Sequence, residues 1–173
     1  MRNEVHDPQP AEDLRRAVEA RLAVPAEREL WLTRDSRPTT YGGLVGRAGE
    51  PTARWVLLRS SDGRQLDVAW RDLPTQTLRN PAFAVVLAHA RLVAGVQVVG
   101  LERPLDRADS AWGAAARTGR TRILATAVEA VAAVVLAAPA VPRAGLLPED
   151  HERARIVLAS ALRLAGMPAP THV

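Results

Sequence analysis

The sequence predicts an α+β fold: a small antiparallel β-sheet or open barrel, preceded by one helix and followed by a helical region. Three observations carry this. Apolar residues recur at helical spacing near the N-terminus. Over 27–73 they turn to alternation and short runs, punctuated by glycine, proline and a Ser-Asp-Gly turn. Beyond residue 80 the pattern returns to alanine-rich segments with helix-start and helix-stop residues.

Residues 1–10 read as a disordered lead-in containing Pro8 and Pro10. Residues 11–166 read as one domain, and 167–173 as a flexible tail. In the first helix Leu14, Ala17, Val18, Arg21 and Leu22 share a face. Glu12 and Asp13 stand in its first turn, where the helix dipole favours acids, and Pro25 ends it.

The β-rich part begins with ERELWLTR, 27–34, where Leu30 and Leu32 oppose Trp31. The glycine-rich stretch 39–50 reads as a short bent strand. TARWVLLRSS, 52–61, and RQLDVAWRDL, 64–73, read as two strands of a hairpin closed by Asp62-Gly63. Leu66, Val68 and Trp70 would share one face of the second strand, with Trp55 and Trp70 helping to cover the sheet.

In the helical part, Asn80 is placed to cap a helix that has Pro81 at its first position and ends at Gly95. VQVVGL, 96–101, reads as a possible return strand, and 102–110 as a polar loop. Asp109 or Ser110 would cap a short helix that ARTGRTR, 116–122, interrupts. The most apolar helix spans 123–138, with Pro139 and Pro142 as stops. The last, 148–166, has acids in its first turn, a stripe of Leu158, Ala161, Leu162 and Ala165, and Gly166 as its C-cap.

Composition narrows the chemistry. The chain has 173 residues and no cysteine, so disulfides, thiolate metal sites and thiol catalysis are excluded. All 23 basic residues are arginine, which rules out lysine Schiff bases and the P-loop lysine. The net charge of +4 permits an anionic partner without demanding one. The polar N-terminus lacks a signal core, so the expected compartment is the cytoplasm. The stretch 123–141 is nearly long enough to span a membrane, but Glu129 near its middle argues for a buried helix instead.

No catalytic group assembles from the sequence. The four histidines show no two-histidine helical spacing, and no metal or cofactor is expected. YGGLVGRAG lacks the features of a phosphate loop. The feature richest in potential chemistry is ARTGRTR, where Arg117, Arg120 and Arg122 surround Gly119 at a helix start. Guanidinium forks suit phosphate, and free amides there favour anions. A helix-turn-helix fits poorly, because the helix after the glycine is too apolar to lie in a groove.

Arg54, Arg59 and Arg64 on the hairpin would supply a second patch, interleaved with Tyr41, Trp55 and Trp70 as stacking groups. The expectation is therefore a non-enzymatic regulatory or binding module that contacts an anionic partner, nucleic acid first. The alternatives are a structural subunit of a homo-oligomer, with Trp55 and Trp70 at its interface and Ala125, Ala132 and Ala133 packing helix on helix, and an enzyme whose site only a structure would reveal.

Overall fold

The computed structural model describes residues 9–139 and 149–170. Of the expected lead-in over 1–10, residues 1–8 lie outside them, as do the Pro142 stop and the tail end 171–173; Gln9 and Pro10 belong to the first helix. The fold is α+β, with helices dominant. In chain order the elements are α1 (Gln9–Leu22), β1 (Glu29–Leu32), β2 (Arg37–Thr40), α2 (Tyr41–Ala48), α3 (Glu50–Arg59), β3 (Gln65–Leu66), α4 (Pro81–Val93), α5 (Glu102–Thr118), α6 (Thr121–Ala137) and α7 (Glu149–Leu164).

The sheet is mixed, in the order β2-β1-β3. β1 runs antiparallel to β2, with Glu29 opposite Thr40 and Leu32 opposite Arg37. It runs parallel to β3, with Leu32 opposite Leu66. The expected alternation holds in β1, where Leu30 and Leu32 are buried and Trp31 is exposed.

Two apolar cores meet at α3. One is the helical core, in which α6 packs against α1, α3, α4, α5 and α7. Its centre includes Val85, Leu92, Leu105, Val128, Val131, Leu158 and Leu162. The other lies under the sheet and joins Leu30, Leu32, Leu44, Ala53, Val56, Leu57, Leu66 and Leu73. Helix α3 sends Trp55 and Leu58 into the first, and Ala53, Val56 and Leu57 into the second. Each large side chain buried this way contributes roughly 1.5–3 kcal/mol.

The expected hairpin is therefore corrected. Its first strand, 52–61, is helix α3, started by Glu50 and Pro51. A helix buried on two faces loses its polar stripe, so WVLL reads like a core strand. Asp62-Gly63 links helix to strand. The Asp62 carboxylate accepts from the Arg64 and Gln65 amides, at 2.8 and 2.9 Å. These bonds hold the Asp62 carboxyl below the usual carboxylate range. The second strand shrinks to two residues, because Asp67 to Ala69 leave the sheet and Trp70 to Pro74 fold into turns.

The bent strand at 39–50 is β2 followed by helix α2, capped by the Thr40 hydroxyl accepting from the Gly43 amide. Gly42 allows a close approach: a Cβ there would lie a tight 3.2 Å from the Ala26 carbonyl oxygen. The strand at 96–101 does not form; Val96 and Val98 are buried, while Val99 is exposed. The loop at 102–110 is the first half of α5, whose buried stripe is Leu105, Ala108, Ala111 and Ala115. Asp109 and Ser110 consequently lie inside the helix and cap nothing. The tail is tighter than expected at its start, where Met167 is buried and its amide donates to the Leu162 carbonyl.

The Asn80 cap forms as expected. Its Oδ1 accepts from the Ala82 and Phe83 amides, and its Nδ2 donates to the Leu73 and Thr75 carbonyls. At the other end of the bundle, Arg91 of α4 donates to the Leu136 and Ala138 carbonyls and closes the C-terminus of α6. Gly95, Gly119 and Gly166 all take positive φ at helix ends.

His89 on α4 and His151 on α7 are 2 % and 1 % exposed, and α4 packs on α7. Neither imidazole has a hydrogen-bond partner among the described residues. Burial pushes both below the ordinary histidine range; Arg155 acts in the same direction on both, and Arg163 also on His89. On His151 the Val96 backbone and Glu152 act the opposite way, short of a hydrogen bond of ordinary geometry. The native state therefore binds fewer protons than the unfolded chain once pH falls below about 6.5. Stability is complete above that pH and declines below it, before the carboxylates titrate. We predict that the double variant His89→Leu/His151→Leu flattens the unfolding free energy between about pH 7 and 5 in urea titrations. A variant as acid-sensitive as the parent would contradict this.

Candidate functional site

The turn between α5 and α6 is built from its own side chains. Gly119 adopts φ 67°, and its amide closes α5 on the Ala115 carbonyl at 2.8 Å. Thr118 Oγ1 donates to the Ala114 carbonyl and accepts from the Arg120 amide. Thr121 is buried, and its Oγ1 donates to the Leu58 carbonyl of α3 at 2.9 Å. The first turn of α6 carries no side-chain cap.

Arg117, Arg120 and Arg122 fan out from this turn. All three are exposed, and none forms an ion pair among the described residues. The turn faces a cleft of about 420 Å³ that Gly119 shares with Ala17, Arg21, Arg28, Asp62 and Gly63. Arg28 also lines a wider cleft of about 950 Å³ beside the sheet, together with Arg64, Glu27, Glu29 and Trp31. Arg28 is thus common to both clefts, and Glu27 and Glu29 line the wider one beside Arg64.

Arg54 and Arg59 are not part of this face. Arg54 pairs with Glu50 at 3.6 Å and lies against Gly166. Arg59 is largely buried; its Nε meets Glu129 Oε1 at 3.1 Å and its Nη1 donates to the Asp67 carbonyl at 3.0 Å. Arg34 grips the Asp67 carboxylate through Nε and Nη2, at 2.9 and 3.3 Å. That bond, helped by the charges of Arg34, Arg59 and Arg122, holds the Asp67 carboxyl below its usual range. The six arginines expected to form two patches are therefore divided. Arg117, Arg120 and Arg122 flank the turn, with the Arg117 guanidinium lying back toward Gly113; Arg64 lines the wider cleft, and Arg54 and Arg59 are paired elsewhere.

The aromatic interleaving also dissolves. Trp55 is 1 % exposed and presents no surface to a partner; its Nε1 donates to Glu129 Oε1 at 2.9 Å. Trp70 is half-buried, with the Arg37 and Arg47 guanidinium carbons 4.5 and 5.7 Å from its ring centroid. Tyr41 opens α2 and is half-buried. Helix α6 lies inside the bundle, with Leu124, Ala125, Val128, Val131, Ala132 and Val135 buried. This uses Ala125 and Ala132 within the chain. No helix among the described residues is long and apolar enough to cross a membrane.

Two residues beside these features are not apparent from the sequence. Arg28 lies in an unpatterned loop, and nothing in the sequence places it beside Gly119. Glu129 stood out only as a charge in an apolar helix, and that was the usable signal: such a residue needs a buried partner.

The fold and this face define a helical α+β protein with an arginine-bearing interhelix turn. Compared with protein-family models, curated proteins and solved structures, the chain matches none.

Glu129 Oε1 satisfies both the Trp55 indole and Arg59. We expect Glu129→Ala, which orphans both donors in a largely buried place, to lower the unfolding free energy by about 1–3 kcal/mol. Glu129→Gln, which keeps an acceptor for the indole, should cost less. Equal stability of Glu129→Ala and the parent in denaturant titration would show that the network contributes nothing.

Proposed function

We propose that this chain is a non-enzymatic cytoplasmic module that binds an anionic partner, nucleic acid first, through the α5–α6 turn. The observation that carries the reading is the exposure of Arg117, Arg120 and Arg122, which make no ion pair among the described residues while Arg54 and Arg59 are occupied by acids. Each guanidinium is permanently charged and offers a planar fork for phosphate oxygens. The anchored turn presents them from a fixed backbone, which lowers the ordering cost of contact.

Contacts of this kind are to the phosphate backbone and carry no sequence information. The reading therefore requires binding that depends steeply on salt and little on base sequence. Duplex and single-stranded DNA of random sequence, titrated across a salt series, test it. Arg117→Ala/Arg120→Ala should weaken duplex binding and reduce the salt slope by about two. Arg54→Ala should change neither. Absence of binding at low salt, with a stable oligomer in solution, would favour a homo-oligomeric structural subunit instead.

A further inference from the structure

We propose that the groove between α4 and α6 is a binding site for a small amphipathic anion, a molecule with an anionic head and an apolar body. The groove encloses about 620 Å³, within the range of small-molecule sites. It exists because small residues face each other across the two helices: Ala84 on α4, and Ala132, Ala133 and Ala137 on α6. Leu78, Val85 and Leu136 complete an apolar wall, and Leu78 stays 59 % exposed at its rim.

The charged groups lining the groove are Arg34, Arg59, Arg79 and Glu129. Two of the arginines are already matched. Glu129 Oε1 takes Arg59 and the Trp55 indole, and Asp67 takes Arg34. Arg79 is the surplus cation, exposed and without an ion pair among the described residues. Its backbone position is fixed, because the next residue is the buried Asn80, held by four hydrogen bonds. An apolar trough with an unmatched guanidinium in its lining complements a head-and-tail anion, and repels a cation of the same shape. The site is separate from the α5–α6 turn and stands whether or not the chain binds nucleic acid.

Decanoate, kept below its micelle-forming concentration, is the probe, and decanol its uncharged counterpart. The readout is the Trp55 indole N–H resonance, since that group bonds to the Glu129 oxygen in the groove wall. Decanoate should shift this resonance saturably and bind more tightly than decanol. Arg79→Ala should weaken decanoate by about threefold, as expected of one exposed charge, and leave decanol unchanged. Ala133→Phe, at an exposed α6 position, should fill the trough and abolish binding of both. The proposal is overturned if the resonance does not move, or if decanoate and decanol bind alike. It is also overturned if the protein is a dimer that Ala133→Phe dissociates without decanoate binding, since the groove would then belong to a second copy. If Ala133→Phe fails to fold, the Arg79→Ala and decanol comparisons still decide.

Discussion

The last carbonyls of α3 are held from two directions. Arg21 of α1 donates to the Leu57 carbonyl at 3.3 Å and to the Ser60 carbonyl at 2.5 Å. Thr121 of α6 donates to the Leu58 carbonyl. These are groups that a helix end leaves without internal partners, and burial without them would be costly. The same helix divides its side chains between the bundle core and the sheet core. A three-stranded sheet with four-, four- and two-residue strands has little capacity to stand alone. It persists because α3 gives it an apolar floor that is itself locked into the bundle.

The joint also fixes the features that bear on function. Thr121 opens α6, so the bond that secures α3 also anchors the turn carrying Arg117, Arg120 and Arg122. Arg59 closes α3 and meets Glu129 of α6, so one wall of the α4–α6 groove is fastened by the same pair of helices. The turn lies at the start of α6 and the groove along its C-terminal half, where Arg34 from the β1–β2 connection also reaches the lining.

How much of this was legible varied with burial geometry. Helices α1, α4, α6 and α7 bury one main stripe and carry recognisable ends, such as Asn80, Pro81 and Gly166, so pattern and caps agreed. Helix α3 is buried on two faces, and its run of Trp55, Val56, Leu57 and Leu58 has no period to read. In α5 the stripe from Leu105 to Ala115 is present, but the polar residues between its first members read as a loop. Helix α2 hides behind three glycines, one of which sits close against the Ala26 carbonyl. The ARTGRTR turn was legible because its glycine and arginines are local. The division of the other arginines was not, since it depends on Glu50, Asp67 and Glu129 arriving from other elements.

The central claim is that α3 makes sheet and bundle one cooperative unit. Native-state hydrogen exchange on Leu57→Ala tests it most directly, because Leu57 packs only in the sheet core. The substitution should cost about 2–5 kcal/mol. If α3 couples the two cores, the slowest amides of α6 and α7, around Val131 and Leu158, lose as much protection as the Trp31 amide of β1. Loss confined to β1, with α6 and α7 unchanged, would contradict the account and make the sheet an independent appendage.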